Sequence, residues 1–441
     1  LTPGLNLTYQ KAWLSDNRVT GKSLQGGGKA VRRSIYWSAV AAAGLASLAA
    51  PVKAQDAGPV KIGVVAAQTG AFVSAGNTIG AGVSLAVKEI NDAGGVKVGG
   101  KAQKIELLNR DDRTDVNVAI AAGRELVNDN EIKALYGTES HDFSVSMTKI
   151  TGPAKVLQFT GNSSLGAILT DKAVAPGGPL HYTFQTEPPE FQRSGSTARG
   201  VLTLLGEEIK TPLKNAVVFA ADDATGQYLS AHYVKALEAN GQHVDLIKYP
   251  PNTTDFTPLL TRAKSLHPDS VHFWYNGDVT LIAFPQAVQL NVAKGYFLFG
   301  VDPGVWAERK LVSSAPVTLS CVPMCWGAPP TPEAKAYFDR YFAAGAVKGV
   351  QSSVSLLYYD YAHWYAKAIE EAGSTDPDKV VAQLEKMKYQ GVVSKAPLFF
   401  DKRHRVSFAT EVCLVEPNTS DKFKCAVEQP PANPPPGDNA G

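Results

Sequence analysis

Sulfur is scarce in this sequence: 441 residues carry four cysteines and three methionines, and the cysteines, Cys321, Cys325, Cys413 and Cys425, all fall in the last third. That is too few for a disulfide-dense scaffold, and spacings of C-x₃-C and C-x₁₁-C disfavour a four-cysteine zinc site. Net charge is nearly absent at +2, so there is no electrostatic footprint for nucleic acid. Catalytic signatures are missing as well: there is no G-x-S-x-G and no H-E-x-x-H. No apolar run reaches the roughly 20 residues that span a membrane.

The longest such run, Ile35 to Ala50, is about 16 residues, shorter than a span. It follows Lys29, Arg32 and Arg33 and precedes Val52-Lys53-Ala54, a small-residue site. This order reads as a secretory signal with cleavage after Ala54; an uncleaved anchor is the alternative, and the surroundings of Arg32-Arg33 match a twin-arginine signal poorly. Residues 1–54 carry seven bases and one acid, so the remaining chain has a formal charge of −4. An exported, mildly acidic protein in the periplasm is expected. Export favours disulfides over thiols. Residues 411–427 read as a hairpin with a turn centred on Thr419, which sets Cys413 opposite Cys425 and Val415 opposite Phe423; Cys413–Cys425 and Cys321–Cys325 are therefore the expected pairs.

With 44% hydrophobic residues the chain can bury a large core and build two or three domains. Its organising stretch is Lys61 to Asp92. Ile62, Val64 and Val65 read as a strand, and Ile79, Val83, Val87 and Ile90 recur at helical spacing. Gly94-Gly95 ends that helix. Between strand and helix lies a small-residue loop whose free N–H groups are expected to favour an anion. It lacks both G-x-G-x-x-G and G-K-[ST], so tight turning alone is the competing explanation.

Strand and helix then alternate. Strands are read at 105–108, 134–137, 156–160 and 182–186, and a second set at 216–221, 244–249, 271–275 and 296–299. Helices intervene, with Thr114 or Asp115 capping the one from Val116. Helices near 332–344, 356–373 and 377–387 follow, then a strand-like Leu398-Phe399-Phe400 and the hairpin. Such alternation implies mainly parallel sheets flanked by helices, with functional loops at the strands' carboxyl ends.

Lys61-Ile62-Gly63-Val64 with Thr69-Gly70, AVKEINDAGG from Ala86, Asp111-Asp112, Asp255-Phe256-Thr257 with Leu259-Leu260, and Gly300-Val301-Asp302 occur in an order and spacing that resemble the type I periplasmic binding proteins of branched-chain amino acid ABC transporters. The resemblance runs from about Val60 to Glu416. It implies an α/β fold of two Rossmann-like lobes, each a mainly parallel sheet flanked by helices, joined by three hinge crossings near 185, 321 and 395. The expected division is 58–185 with 322–394 as one lobe, 186–321 with 395–428 as the other, and 429–441 as a disordered Pro-rich tail. Such a protein closes around a small-molecule ligand and hands it to a membrane permease, as a monomer and without a cofactor. A ligand sensor acting on a receptor has the same fold and stays open.

By position the resemblance places the ligand's carboxylate on Ser140, His141, Asn162, Ser163 and Ser164, although His141 stands where a small serine is usual. The second lobe contributes Thr225, Tyr228, Trp274 and Asn276, and Asp302 aligns with the acid that pairs with an ammonium group. Asp302 and Asp278 have an alternative reading as turn or cap residues; Trp274, Tyr275 and Trp306 line a pocket for a bulky ligand or belong to the core. An amino acid, branched-chain or aromatic, is the expected ligand, with non-amino aromatic carboxylates the alternative. Ser140-His141-Asp142 has the names of a catalytic triad, but adjacent residues cannot bond in series, so no enzyme is expected.

Overall fold

The computed structural model describes residues 58–70, 72–161, 165, 168–274, 277–301, 303–321, 332–345, 353–394 and 397–432. The first set of elements is β1 (Val60–Val65), α1 (Val73–Asp92), β2 (Val96–Val98), β3 (Lys101–Gln103), β4 (Ile105–Arg110), α2 (Val116–Arg124), β5 (Ala134–Tyr136), α3 (His141–Thr151), β6 (Leu157–Phe159), α4 (Asp171–Val174) and β7 (Thr183–Phe184). A second set follows: α5 (Glu190–Ile209), β8 (Asn215–Ala221), α6 (Ala224–Ala239), β9 (His243–Tyr249), α7 (Thr257–Ser265), β10 (Ser270–Phe273), α8 (Gly277–Gln289), β11 (Gly295–Leu298), α9 (Pro303–Glu308) and β12 (Val317–Cys321). The chain ends with α10 (Pro332–Ala343), α11 (Ser353–Ala372), α12 (Pro377–Leu384), β13 (Thr410–Val415) and β14 (Phe423–Glu428).

Two main sheets result. The first runs β4-β1-β5-β6-β7, parallel throughout. The second runs β14-β13-β12-β11-β10-β8-β9, parallel from β12 to β9 and antiparallel at the hairpin edge. This is the parallel α/β architecture that alternating strand and helix patterns require. β2 and β3 form a separate small hairpin that the sequence pattern did not signal.

The chain passes between the sheets three times: after β7, after β12, and before β13. The third passage comes later than the expected position near 395, because Leu398, Phe400, Val406 and Phe408 still belong to the core of the first sheet. Leu398 and Phe400 make only isolated bridges, to Tyr389 and Val406, and no strand. β12 was missed outright. Its alternation of Val317, Thr318, Leu319 and Ser320 is short, yet it links the parallel strands to the hairpin.

Helix α1 buries the face read from its spacing, with Ile79, Val83, Val87 and Ile90 all inside the first core. It lies directly on α11, and Gly82 is the point of closest approach: a β-carbon there would fall well inside contact with the Ser355 carbonyl. Asp115 is the cap of α2, accepting from the N–H groups of Asn117 and Val118, which satisfies donors that a helix start leaves open. In the terminal hairpin Cys413 faces Cys425 and Val415 faces Phe423, and the Cys413–Cys425 disulfide is formed. Cys325 lies outside the described residues, and of Cys321 only the strand position is described.

Candidate functional site

Residues 66–70 follow β1, and the N–H groups of Ala66, Ala67, Gln68 and Thr69 are already occupied. Asp111 accepts from Gln68 N at 2.9 Å, Thr69 N at 3.3 Å and Thr69 Oγ1 at 2.7 Å. Glu139 accepts from Ala67 N, and Thr114 Oγ1 accepts from Phe72 N at 3.1 Å. The expectation that this loop receives a foreign anion is thus corrected: the chain's own carboxylates take the donors. Burial opposes the Asp111 charge, but the Thr69 hydroxyl and the N–H groups of Gln68, Arg113 and Thr69 outweigh it and lower its pKa. Glu139 is buried beside Asp112. Burial first, and then the Asp112 charge, hold its carboxyl well above the ordinary range. Gly76 is needed here because a β-carbon would collide with Ala67 O and the Glu139 carboxyl.

The lobes meet where α3 and α6 begin. Thr225 Oγ1 donates to Asp142 Oδ1 at 3.0 Å, and Ser140 Oγ donates to the same oxygen at 2.8 Å. The His141 ring stacks on Tyr228 with centroids 4.3 Å apart and planes 13° apart, and Tyr228 meets His232 edge-on. Asp223 caps α6 through Gly226 N at 2.7 Å. The structure brings Ser140, His141, Thr225 and Tyr228 to one junction, together with Asp142, which is not among the expected ligand-binding residues and holds the Ser140 and Thr225 hydroxyls. The three triad names are not bonded in series, since the Ser140 hydroxyl is directed to Asp142 and the His141 ring to Tyr228.

A second acidic cluster follows the first passage between the sheets. Glu187, Glu190 and Arg193 are all buried. Arg193 donates through Nε to Glu190 Oε2 at 3.1 Å and again through Nη2, and the Ser194 hydroxyl donates to Glu190 Oε1 at 2.9 Å. The Arg193 guanidinium also lies over the Phe299 ring, 5.2 Å from its centroid. Glu187 is left over: neither carboxylate oxygen has a hydrogen-bond partner among the described residues. Burial pushes its pKa up to about 8, against the opposing charge of Arg193. Its neighbour Thr186 bonds Thr160 O at 2.5 Å and Gly161 O at 3.3 Å, and Tyr358 bonds Thr160 O at 2.7 Å. Glu187 therefore directly follows a residue bonded to the end of β6. Two acids around the rigid Pro188-Pro189 turn at a crossing are the sequence signal for this cluster.

Asn162, Ser163, Ser164, Tyr275, Asn276 and Asp302 lie outside the described residues, as does the Asp278 side chain. The two tryptophans are placed, and they are core. Trp274 is fully buried and stacks on Tyr233 with centroids 3.7 Å apart and planes 3° apart. Strand alternation explains it: Val271 and Phe273 enter one layer, while His272 bonds the Tyr233 hydroxyl at 2.7 Å and Trp274 points the same way. Trp306 is buried against Phe284 in the second sheet's core. Of the two readings left open for them, pocket wall or core, both tryptophans pack as core. No helix among the described residues is long and apolar enough to cross a membrane.

The profile of the periplasmic binding protein family matches residues 59–420. Among curated relatives, a Leu/Ile/Val-binding protein homolog 8 from Brucella abortus is 27% identical over 217 residues, covering 48% of this chain and 50% of that one. The match thus spans about half the length of that relative. A leucine binding protein from Thermotoga maritima superposes with a TM-score of 0.69 at 21% identity, over 84% of this chain and 99% of that one. A solute binding protein of an ABC transporter from R. palustris, solved with benzoate, gives 0.69 at 19% identity, over 87% of this chain and 100% of that one. Two parallel α/β sheets joined by three passages, with a family match across both, lead to one conclusion: the chain belongs to the periplasmic binding protein family, with the type I fold of those structural neighbours.

Proposed function

We propose that this protein captures a small carboxylate-bearing solute, an amino acid by preference, between its two lobes and delivers it to the membrane permease of an ABC importer. It acts as a monomeric binding protein in the periplasm, without catalysis. Export ends with cleavage after Ala54, and N-terminal sequencing of protein from its host should read from Gln55. The observation that carries the choice of solute is Glu187. Arg193 is hydrogen-bonded to Glu190, so Glu187 feels its charge but neither of its carboxylate oxygens has a hydrogen-bond partner among the described residues, and an ion buried without a bonded partner costs several kcal/mol. An ammonium group on the solute supplies that partner. Its carboxylate then falls to the Asn162, Ser163 and Ser164 loop with His141 nearby, and Asn276 and Asp302 complete the second lobe's side.

Aromatic carboxylates without an amine are the second reading, favoured by the benzoate held by the R. palustris neighbour. It depended also on Trp274 and Trp306 as walls, and both are packed in the core. Thermal-shift and calorimetric titration with leucine, valine, phenylalanine, benzoate and 4-hydroxybenzoate separates the two. At 100 times its dissociation constant a true solute should add about 2.7 kcal/mol of stability. Amino acids are expected to bind and the benzoates to fail; the reverse result would sink the amino-acid reading and install the other.

A further inference from the structure

We infer that His181, Glu385 and His404 form a binding site for a divalent transition-metal ion, Zn²⁺ by the chemistry of the donors, on the first lobe. A ring nitrogen of each histidine and a carboxylate oxygen of Glu385 lie within 4.8 Å of one another. The three come from distant segments: the approach to β7, the residue after α12, and the turn whose Arg405 bridges to Gln185. His181 directly precedes a parallel strand, so the cluster sits at the strands' amino ends, opposite the loops of the candidate solute site.

The rings are oriented as ligands require. His181 Nδ1 is 2.8 Å from Val174 O, and His404 Nδ1 is 3.2 Å from Thr183 O. A neutral imidazole has one N–H, and spending it on a main-chain carbonyl leaves Nε2 as a lone pair; this is the outer-shell arrangement that fixes metal-binding histidines. His404 Nε2 then faces Glu385 Oε1 at 3.0 Å, a pair that either a proton on Nε2 or a cation between the two atoms satisfies. His404 is held flat on Phe184, with centroids 4.4 Å apart and planes 6° apart. Two histidines and a carboxylate with an open fourth position suit zinc, whose ligands lie about 2.0–2.2 Å from the ion. The His404 and Glu385 ligand atoms are 3.0 Å apart, close to the roughly 3.4 Å edge of a tetrahedron with such bonds; all three ligand atoms lie within 4.8 Å of one another, and Glu385 is exposed enough to move. Entry is provided by a groove of 720 Å³ that reaches His181, Tyr182, Asp378 and Glu385. A bound ion would tie together the segments that lead to the first and third passages between lobes.

The test uses the mature chain stripped with EDTA, titrated with Zn²⁺ by calorimetry and with Co²⁺ by visible absorption. One ion per chain is expected, with a four-coordinate Co²⁺ band. Glu385→Gln and His181→Gln should each weaken binding at least about tenfold and abolish the band. Because Glu385 is on the surface, its variant keeps the metal-free melting temperature and serves as the control for folding. If the parent takes up no ion, or both variants hold it as tightly as the parent, there is no metal site and the histidines only bond Val174 and Thr183.

Discussion

Glu187 governs how solute binding should respond to pH. Its folded pKa of about 8 stands above the ordinary 4.5 because burial disfavours the charge. Folding therefore holds a proton that the unfolded chain releases. The resulting stability is fully present below about pH 4.5 and is lost as pH rises through 8. Asp360, buried and raised to about 7 by burial, acts in the same direction. An ammonium-bearing solute must displace the Glu187 proton, so its affinity should rise roughly tenfold per pH unit below about 8. In Glu187→Gln that slope should flatten and affinity for leucine should fall, which calorimetry between pH 6 and 8 would register. An identical slope in parent and variant would remove Glu187 from the solute's surroundings. Asp142 teaches the complementary point. Nothing local distinguishes it from a solvated helix-start acid, and only the approach of α6 supplies the Thr225 hydroxyl it binds.

Among the elements, the contact of α1 with α11 sets opposite signs for two glycines only two residues apart in sequence, which 3.6 residues per turn place on opposite faces of the helix. Replacing glycine by alanine in a helix ordinarily stabilises by about 1 kcal/mol. Gly80 has nothing within 4 Å of a built β-carbon, so Gly80→Ala should show that gain in urea denaturation. At Gly82 the obstacle is the Ser355 backbone, which cannot rotate away. Gly82→Ala should instead cost about 1–3 kcal/mol, the range for overpacking. A gain at both positions would mean that the two helices sit farther apart than described. The spacing of Ile79, Val83, Val87 and Ile90 made the buried face of α1 legible, but not which glycine meets another helix.

For the whole molecule, three passages between two sheets make relative rotation of the lobes the expected response to solute. Stacking of His141 on Tyr228 and the Thr225–Asp142 bond are contacts across the junction of the lobes. Small-angle scattering should record a smaller radius of gyration with saturating solute than without. His141→Ala should weaken solute binding while leaving each lobe's melting unchanged, because the ring packs across the junction and not within a core. An unchanged radius, together with unchanged affinity in His141→Ala, would remove this junction from the closing surface.

The sequence by itself determined what depends on neighbours a few residues apart. Helical spacing marked the α1 face, short apolar runs marked β1, β8 and β11, Thr114 or Asp115 announced the start of α2, and a turn at Thr419 put Cys413 opposite Cys425. The five short stretches beginning at Lys61 added the family and hence the lobes. Tertiary structure decided everything whose partner lies far along the chain. Trp274 became core because α6 brings Tyr233 onto it, and the loop after β1 lost its free donors because β4 ends in Asp111. Glu187 became a lone buried acid because Arg193 is bound to Glu190. His181, Glu385 and His404 met only because β7, α12 and a late turn converge. Periodicity and capping express local backbone geometry, whereas the fate of a polar side chain is set by which distant group reaches it once water is excluded.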